Sequence, residues 1–201
     1  DAVRQSVLLK KYEASVKAAN KIDEADYKRS VTKLNLRQIV LRPAMPGPKE
    51  NYQTASAKNA LAARQRGDQL VAQLRGKSGA ALSQAFDALA RKSSDDSASK
   101  GKGGALGYKL PSELPVDPAV RDALAAATTP LVGPLQGEGI KDVYIFLNEG
   151  SKVELPKNYA AKKATFIKDF KTQRDNEVWS KKQEEQRKSV FFVQISDSHI
   201  G

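Results

Sequence analysis

The chain has 201 residues, 40% of them hydrophobic, which is enough for one ordinary domain or a compact domain with a helical annex and too many for a disordered chain. It has no cysteine and a single histidine, His199, which excludes disulfides, thiol catalysis and Cys/His metal sites and leaves a Ser-His-Asp triad only one terminal candidate base. The formal net charge is +11, but the cations are spread along the chain among acids without a helix-turn-helix, zinc-finger or aromatic RNA-binding signature, so a solvated basic surface is expected and no nucleic-acid partner.

Residues 2–19 carry Val3, Val7, Leu8, Tyr12, Val16 and Ala19 at helical spacing. A second helix restarts at Asp23, a capping residue, with Glu24 and Asp26 at the positive end of the dipole, and is expected to run to about Lys33. Neither helix has a core of its own. The period changes at 34–41, where Leu34, Leu36, Gln38 and Val40 fall on one face and Ile39 and Leu41 on the other, as in a central strand. Pro43, Pro46, Gly47 and Pro48 then make a loop.

A long Ala- and Gln-rich helix is expected over 51–75, with Leu61, Leu70, Val71 and Leu74 inward and Gly76 and Gly79 as its stop. A further helix over 81–91 uses Leu82, Phe86 and Leu89, and a glycine-rich loop fills 93–107. Pro118 suits the first turn of a helix ending near Ala127. Residues 131–136 and 143–147 read as strands joined by a hairpin at Gly137-Glu138-Gly139. After Pro156 comes a long charged helix with an interrupted stripe of Phe166, Ile167, Phe170, Val178 and Trp179, and 190–195 reads as a closing strand. No internal repeat is present. The order predicts an α+β protein, helices around a small sheet. No run approaches the roughly 20 apolar residues of a membrane span. There is no signal peptide, and the start at Asp1 suits a processed chain whose export signal lies outside these residues.

The middle of the chain resembles the parvulin (rotamase) family of peptidyl-prolyl isomerases. Arg37-Gln38-Ile39-Val40-Leu41 is similar to the family's opening R-H-I-L-V strand, and Phe86-Asp87-Ala88-Leu89-Ala90 to its F-x-x-L-A helix. Ser94-Asp95-Asp96-Ser97 with Gly103-Gly104-Ala105-Leu106-Gly107-Tyr108 resembles its S-D-D and G-G-x-L-G-aromatic loop, the most specific piece. Gly133-Pro134-Leu135 and Val143-Tyr144-Ile145-Phe146-Leu147 resemble its G-P-V and G-x-H-I-I-x-V ending. The flanks, with Ile22-Asp23-Glu24-Ala25-Asp26 before the first strand and the long charged helix after the last, resemble SurA- and PrsA-type extracytoplasmic foldases.

That resemblance implies a four-stranded, helix-wrapped isomerase domain at 34–150, inserted between 1–33 and 151–201, which would pack together as a chaperone module. It implies no cofactor. The partners would be unfolded or proline-containing polypeptides outside the cytoplasm, in the periplasm or its equivalent, with envelope association and oligomeric state left open. At the family's two histidine positions stand Gln38 and Tyr144, while Asp96 keeps the position of its Cys or Asp; Leu106, Leu114 and Val120 would line the proline pocket, with Leu114 in place of Met and no clear Phe. Catalysis of X-Pro rotation, a barrier of about 18–20 kcal/mol, asks only for a site that binds the twisted amide better than either planar form. Gln and Tyr still hydrogen-bond, so isomerase activity is expected to be weak or lost, with an active isomerase as one alternative and a docking subunit of an envelope assembly, using Trp179, as another.

Overall fold

The computed structural model describes residues 2–137 and 142–197. Its contacts cluster into two units: Val31–Glu154, and Asp1–Ser30 together with Leu155–Gly201. The unit Val31–Glu154 is built on one antiparallel sheet of four strands, β1 (Thr32–Leu41), β2 (Ala105–Lys109), β3 (Leu131–Gln136) and β4 (Val143–Val153), in the order β2-β1-β4-β3. The protein is thus α+β, as its pattern predicted. β1 is central, and the sheet buries both of its faces. On one, Ile39 and Leu41 join Val143, Ile145 and Leu147 beneath α3 (Tyr52–Leu74) and α4 (Gly79–Ser93), meeting Leu70, Val71, Leu74, Leu82 and Phe86. On the other, Leu36, Val132 and Phe146 pack on Leu114, Val120 and Leu124. The last two come from α6 (Pro118–Ala126), which Asp117 caps by accepting from Ala119 N.

Several sequence expectations need correction. Leu61 is 58% exposed, because the buried face of α3 is set by Ala63, Gly67, Leu70, Val71 and Leu74, and a residue two before Ala63 lies about 200° round the helix. Gly67 is on that face because a Cβ there would come within 2.9 Å of Pro134 Cβ. Gly79, expected to stop α3, is the first residue of α4. Residues 93–107 are not all loop: they hold a turn of helix, α5 (Ser97–Lys100), and run into β2. β4 continues to Val153, past the apolar run that marks its start.

The second unit contains α1 (Ala2–Ala19), α2 (Glu24–Ser30) and α7 (Tyr159–Asp197). α2 ends three residues before Lys33 because β1 claims the chain from Thr32. Buried Tyr27 stacks on Tyr159 at 5.4 Å and lies edge-on to Phe170 at 5.8 Å. Asn20 and Lys171 converge on Asp175, and Lys171 Nζ also donates to Asn20 O at 2.9 Å. Trp179 is 9% exposed and packs edge-on to Tyr12 at 5.9 Å, so it belongs to the interior of this unit and is no docking face. The strand expected at 190–195 is helical: α7 runs through it to Asp197. Five apolar residues interrupted only by Gln194 do not distinguish strand from helix, and with no Gly or Pro between the kink at Lys162 and Asp197 the helix propagates without a new nucleus. The hairpin tip at Glu138 and Gly139, and His199, lie outside the described residues.

Candidate functional site

The site is assembled by the way residues 94–104 attach to β1. Beyond the end of β2, Ser94 and Asp95 take over its place beside β1. Val40 N donates to the fully buried Ser94 Oγ at 3.1 Å, and Asp95 N donates to Val40 O at 2.7 Å. The Asp95 carboxylate then accepts from Arg42 N at 2.9 Å. The next residue, Asp96, is thereby set beside Gln38. Gln38 Nε2 donates to Asp96 Oδ2 at 2.9 Å. The amide orientation follows from chemistry, since an ionised carboxylate only accepts.

Asp96 also caps α5, accepting from Ala98 N and Ser99 N, and takes a short hydrogen bond from Ser99 Oγ. The Ser99 hydroxyl foremost, with Gln38 and the two backbone N–H groups, holds the carboxyl below the usual carboxylate range against the opposing effect of burial. The other side of the loop is fixed by backbone: Gln38 N donates to Gly104 O at 2.8 Å, and Gly104 N to Ser99 O at 2.9 Å.

Gln38 lies directly across from Phe146, so it shares a face with the α6-side core. Around that core sits a rim of half-buried apolar side chains: Leu34, Leu106, Val116, Leu135 and Tyr144. Tyr144 pairs with Val40 and Leu135 and stacks on Phe146 at 6.0 Å. Burial first, then Asp142, Asp117 and Asp96, pushes its phenol above the ordinary tyrosine value, with Arg42 opposing. The structure therefore brings Gln38 and Asp96 into contact and puts Tyr144 and Leu106 on the same face. Leu114 and Val120 belong to that face too, but at 4% and 1% exposure they form its sealed floor and do not offer a contact surface. Sequence reasoning missed Ser99 and Ser94; their offsets of five and zero from the start of the Ser-Asp-Asp-Ser run were the available signal. A cleft of about 650 Å³ opens elsewhere, at the α3–α4 junction against Pro130, Leu131 and Asn148, and none of the predicted site residues lines it.

Residues 15–133, more than half of the chain, match the PPIC-type PPIASE domain. The chain belongs to the PpiC-type peptidyl-prolyl isomerase family. No curated protein matched. Among solved structures, the chain is similar to one from Campylobacter jejuni, from the work describing PEB4 and Cj1289 as SurA-like chaperones: 19% identity, TM-score 0.46, covering 94% of this chain and 70% of that one. It is similar to a PpiC-type isomerase domain at 19% identity and TM-score 0.45, covering 63% of this chain and 97% of that one. Against PrsA of Bacillus cereus the values are 20% and 0.45, covering 86% of this chain and 54% of that one.

The Gln38–Asp96 pair and Tyr144 should be insensitive to pH near neutrality. The depressed Asp96 carboxyl contributes fully above the unfolded value of about 3.9 and is lost only as pH falls through its lower folded value. The raised Tyr144 phenol stays neutral past about 10. The Gln38 side-chain amide resonance is therefore expected to be flat between about pH 5 and 9, and an inflection near 6–7 would show another titrating group acting on the pair.

Proposed function

We propose that the protein is an extracytoplasmic folding factor that holds unfolded, proline-containing polypeptides on the Gln38–Tyr144 face, with isomerase activity weak or lost. The observation that carries this reading is the Gln38–Asp96 hydrogen bond set within a rim of half-buried apolar side chains. An apolar surface with a few placed polar groups is what a proline ring and its flanking amides require. With Nε2 committed to Asp96, Gln38 keeps a carbonyl acceptor and one further N–H for a peptide backbone. Neither Gln38 nor a Tyr144 that stays neutral can exchange a proton near pH 7, so stabilisation of a twisted amide is limited to hydrogen bonding. Family membership supports a polypeptide ligand, and no described helix is long and apolar enough to cross a membrane.

The alternative is an active prolyl isomerase, favoured by the retention of Asp96 in a hydrogen-bonded place. Two assays separate the readings. The chain should suppress aggregation of an unfolded client at stoichiometric amounts, while leaving Xaa-Pro isomerisation close to its uncatalysed time of tens to hundreds of seconds. Asp96→Ala and Gln38→Ala should each weaken capture of a proline-containing peptide by roughly tenfold, the loss of one hydrogen bond to a charged group. A large rate acceleration that Gln38→Ala abolishes would establish the alternative, and no effect on aggregation would remove the chaperone reading.

A further inference from the structure

On the sheet face opposite Gln38 and Tyr144, one carboxylate gathers two guanidinium groups, and each of those holds a carbonyl of the glycine loop. Asp87, on α4, accepts from Arg37 Nη1 at 3.2 Å and from Arg91 Nε at 2.7 Å. The same Arg37 Nη1 donates to Gly103 O at 3.2 Å, and Arg91 Nη1 makes a short hydrogen bond to Gly101 O. Arg37 Nε is buried and lies 2.9 Å from Glu149 Oε1 without hydrogen-bond alignment, so that contact is Coulombic. Glu149 is itself held by Ser83 Oγ. The next loop residue, Gly104, accepts from Gln38 N and donates to Ser99 O, and Ser99 supplies two of the donors to Asp96. An unbroken line of contacts thus runs from Asp87 through the loop to both Gln38 and Asp96.

We propose that Arg37, Asp87 and Arg91 are positioning residues, a clamp behind the sheet that sets the Gln38–Asp96 geometry without touching a bound chain. The proposal rests on the reading of that pair as the binding site. Guanidinium is the group this job requires: it is planar, always charged, and donates in two directions at once, to Asp87 and to a carbonyl. Lysine at 37 keeps the charge between Asp87 and Glu149 but lacks the planar fork. Burial helps, since Arg37, Asp87 and Glu149 side chains are all about a third exposed or less.

The test uses the full chain with Arg37→Lys and Asp87→Asn. Hydrogen exchange of the Gln38 backbone amide is read against that of Ile145 in the core, alongside binding of an Ala-Leu-Pro-Phe peptide. The clamp predicts that Gln38 exchange accelerates at least tenfold in both variants while Ile145 is unchanged, that Arg37→Lys preserves the melting temperature, and that peptide affinity still falls about fivefold in it. Equal acceleration of Gln38 and Ile145 would reduce the network to general stabilisation, and no acceleration would overturn the proposal. If the wild-type chain binds no peptide, the functional reading fails, while the exchange comparison still decides the clamp.

Discussion

Gly104→Ala is expected to cost about 3–5 kcal/mol of stability, at the top of what single substitutions do. Gly104 sits at φ +81°, and an added Cβ would lie 2.2 Å from the backbone oxygen of Gln38. Two costs combine. The left-handed conformation alone costs a non-glycine residue about 1–2 kcal/mol. The overlap is with main chain of the central strand, so no rotamer change relieves it; either the loop lifts off or β1 bends. If the loop lifts, the Gln38 N to Gly104 O bond is lost, and the link from Ser99 to Gly104 that helps seat Asp96 goes with it. Urea denaturation followed by tryptophan-independent far-UV signal measures the loss. Gly107→Ala is the natural control: it has φ +70° but nothing within 4 Å of its added Cβ, so only the conformational cost of about 1–2 kcal/mol should appear. Equal losses at the two positions would mean that the close approach to Gln38 is irrelevant.

This contrast also explains which parts of the fold could be read from the sequence. β1 and the start of β4 announce themselves because each buries side chains on both faces, and two-sided burial produces an unbroken apolar run: Ile39-Val40-Leu41, or Val143 to Leu147. β2 leaves no such mark. It is five residues long, three of them exposed, and carries a glycine with positive φ; its strand character comes from hydrogen bonding to β1, which no local pattern encodes. The site divides the same way. Gln38 and Asp96 stand in recognisable motifs, so their residue types and positions were legible. Their 2.9 Å contact depends on Ser94 being buried under Val40, a pairing 54 residues apart. Val120 lies on the face its family position implies, but its depth, 1% exposure, is not something a family position encodes. The Asp87 link to Arg91 is a helical i,i+4 pair visible in the sequence, whereas its link to Arg37 spans 50 residues and needs the fold. The same limit explains 190–195, whose mostly apolar residues read as a strand while the chain continues as helix.

Tyr27→Ala should cost about 3–4 kcal/mol, the loss for removing a buried aromatic, and the loss should fall on the unit formed by the two chain ends. Tyr27 is the one residue of α2 that is buried, at 7% exposure, and three rings of that unit lie within 6.0 Å of its own: Tyr159, Phe166 and Phe170. Aromatic contacts add about 0.5–1.5 kcal/mol beyond their area, and a seven-residue helix cannot persist without tertiary support. The ion pairs nearby do not substitute for the cluster. Glu24, held down to about 2 by hydrogen bonds from Lys163 and then Lys28, is a solvent-facing group, and pairs of that kind contribute little. Acid should therefore leave the unit folded until well below the usual carboxylate range, whereas the Tyr27 substitution should weaken it already at neutral pH. Trp179, packed on Tyr12 in the same unit, is the chain's one tryptophan and reports that unit alone. In Tyr27→Ala its fluorescence transition should move to lower urea concentration while the far-UV transition of the sheet unit stays near its wild-type position. A single transition that shifts as a whole would instead make the two units one cooperative structure, and the substitution would then weaken peptide capture at Gln38 as well.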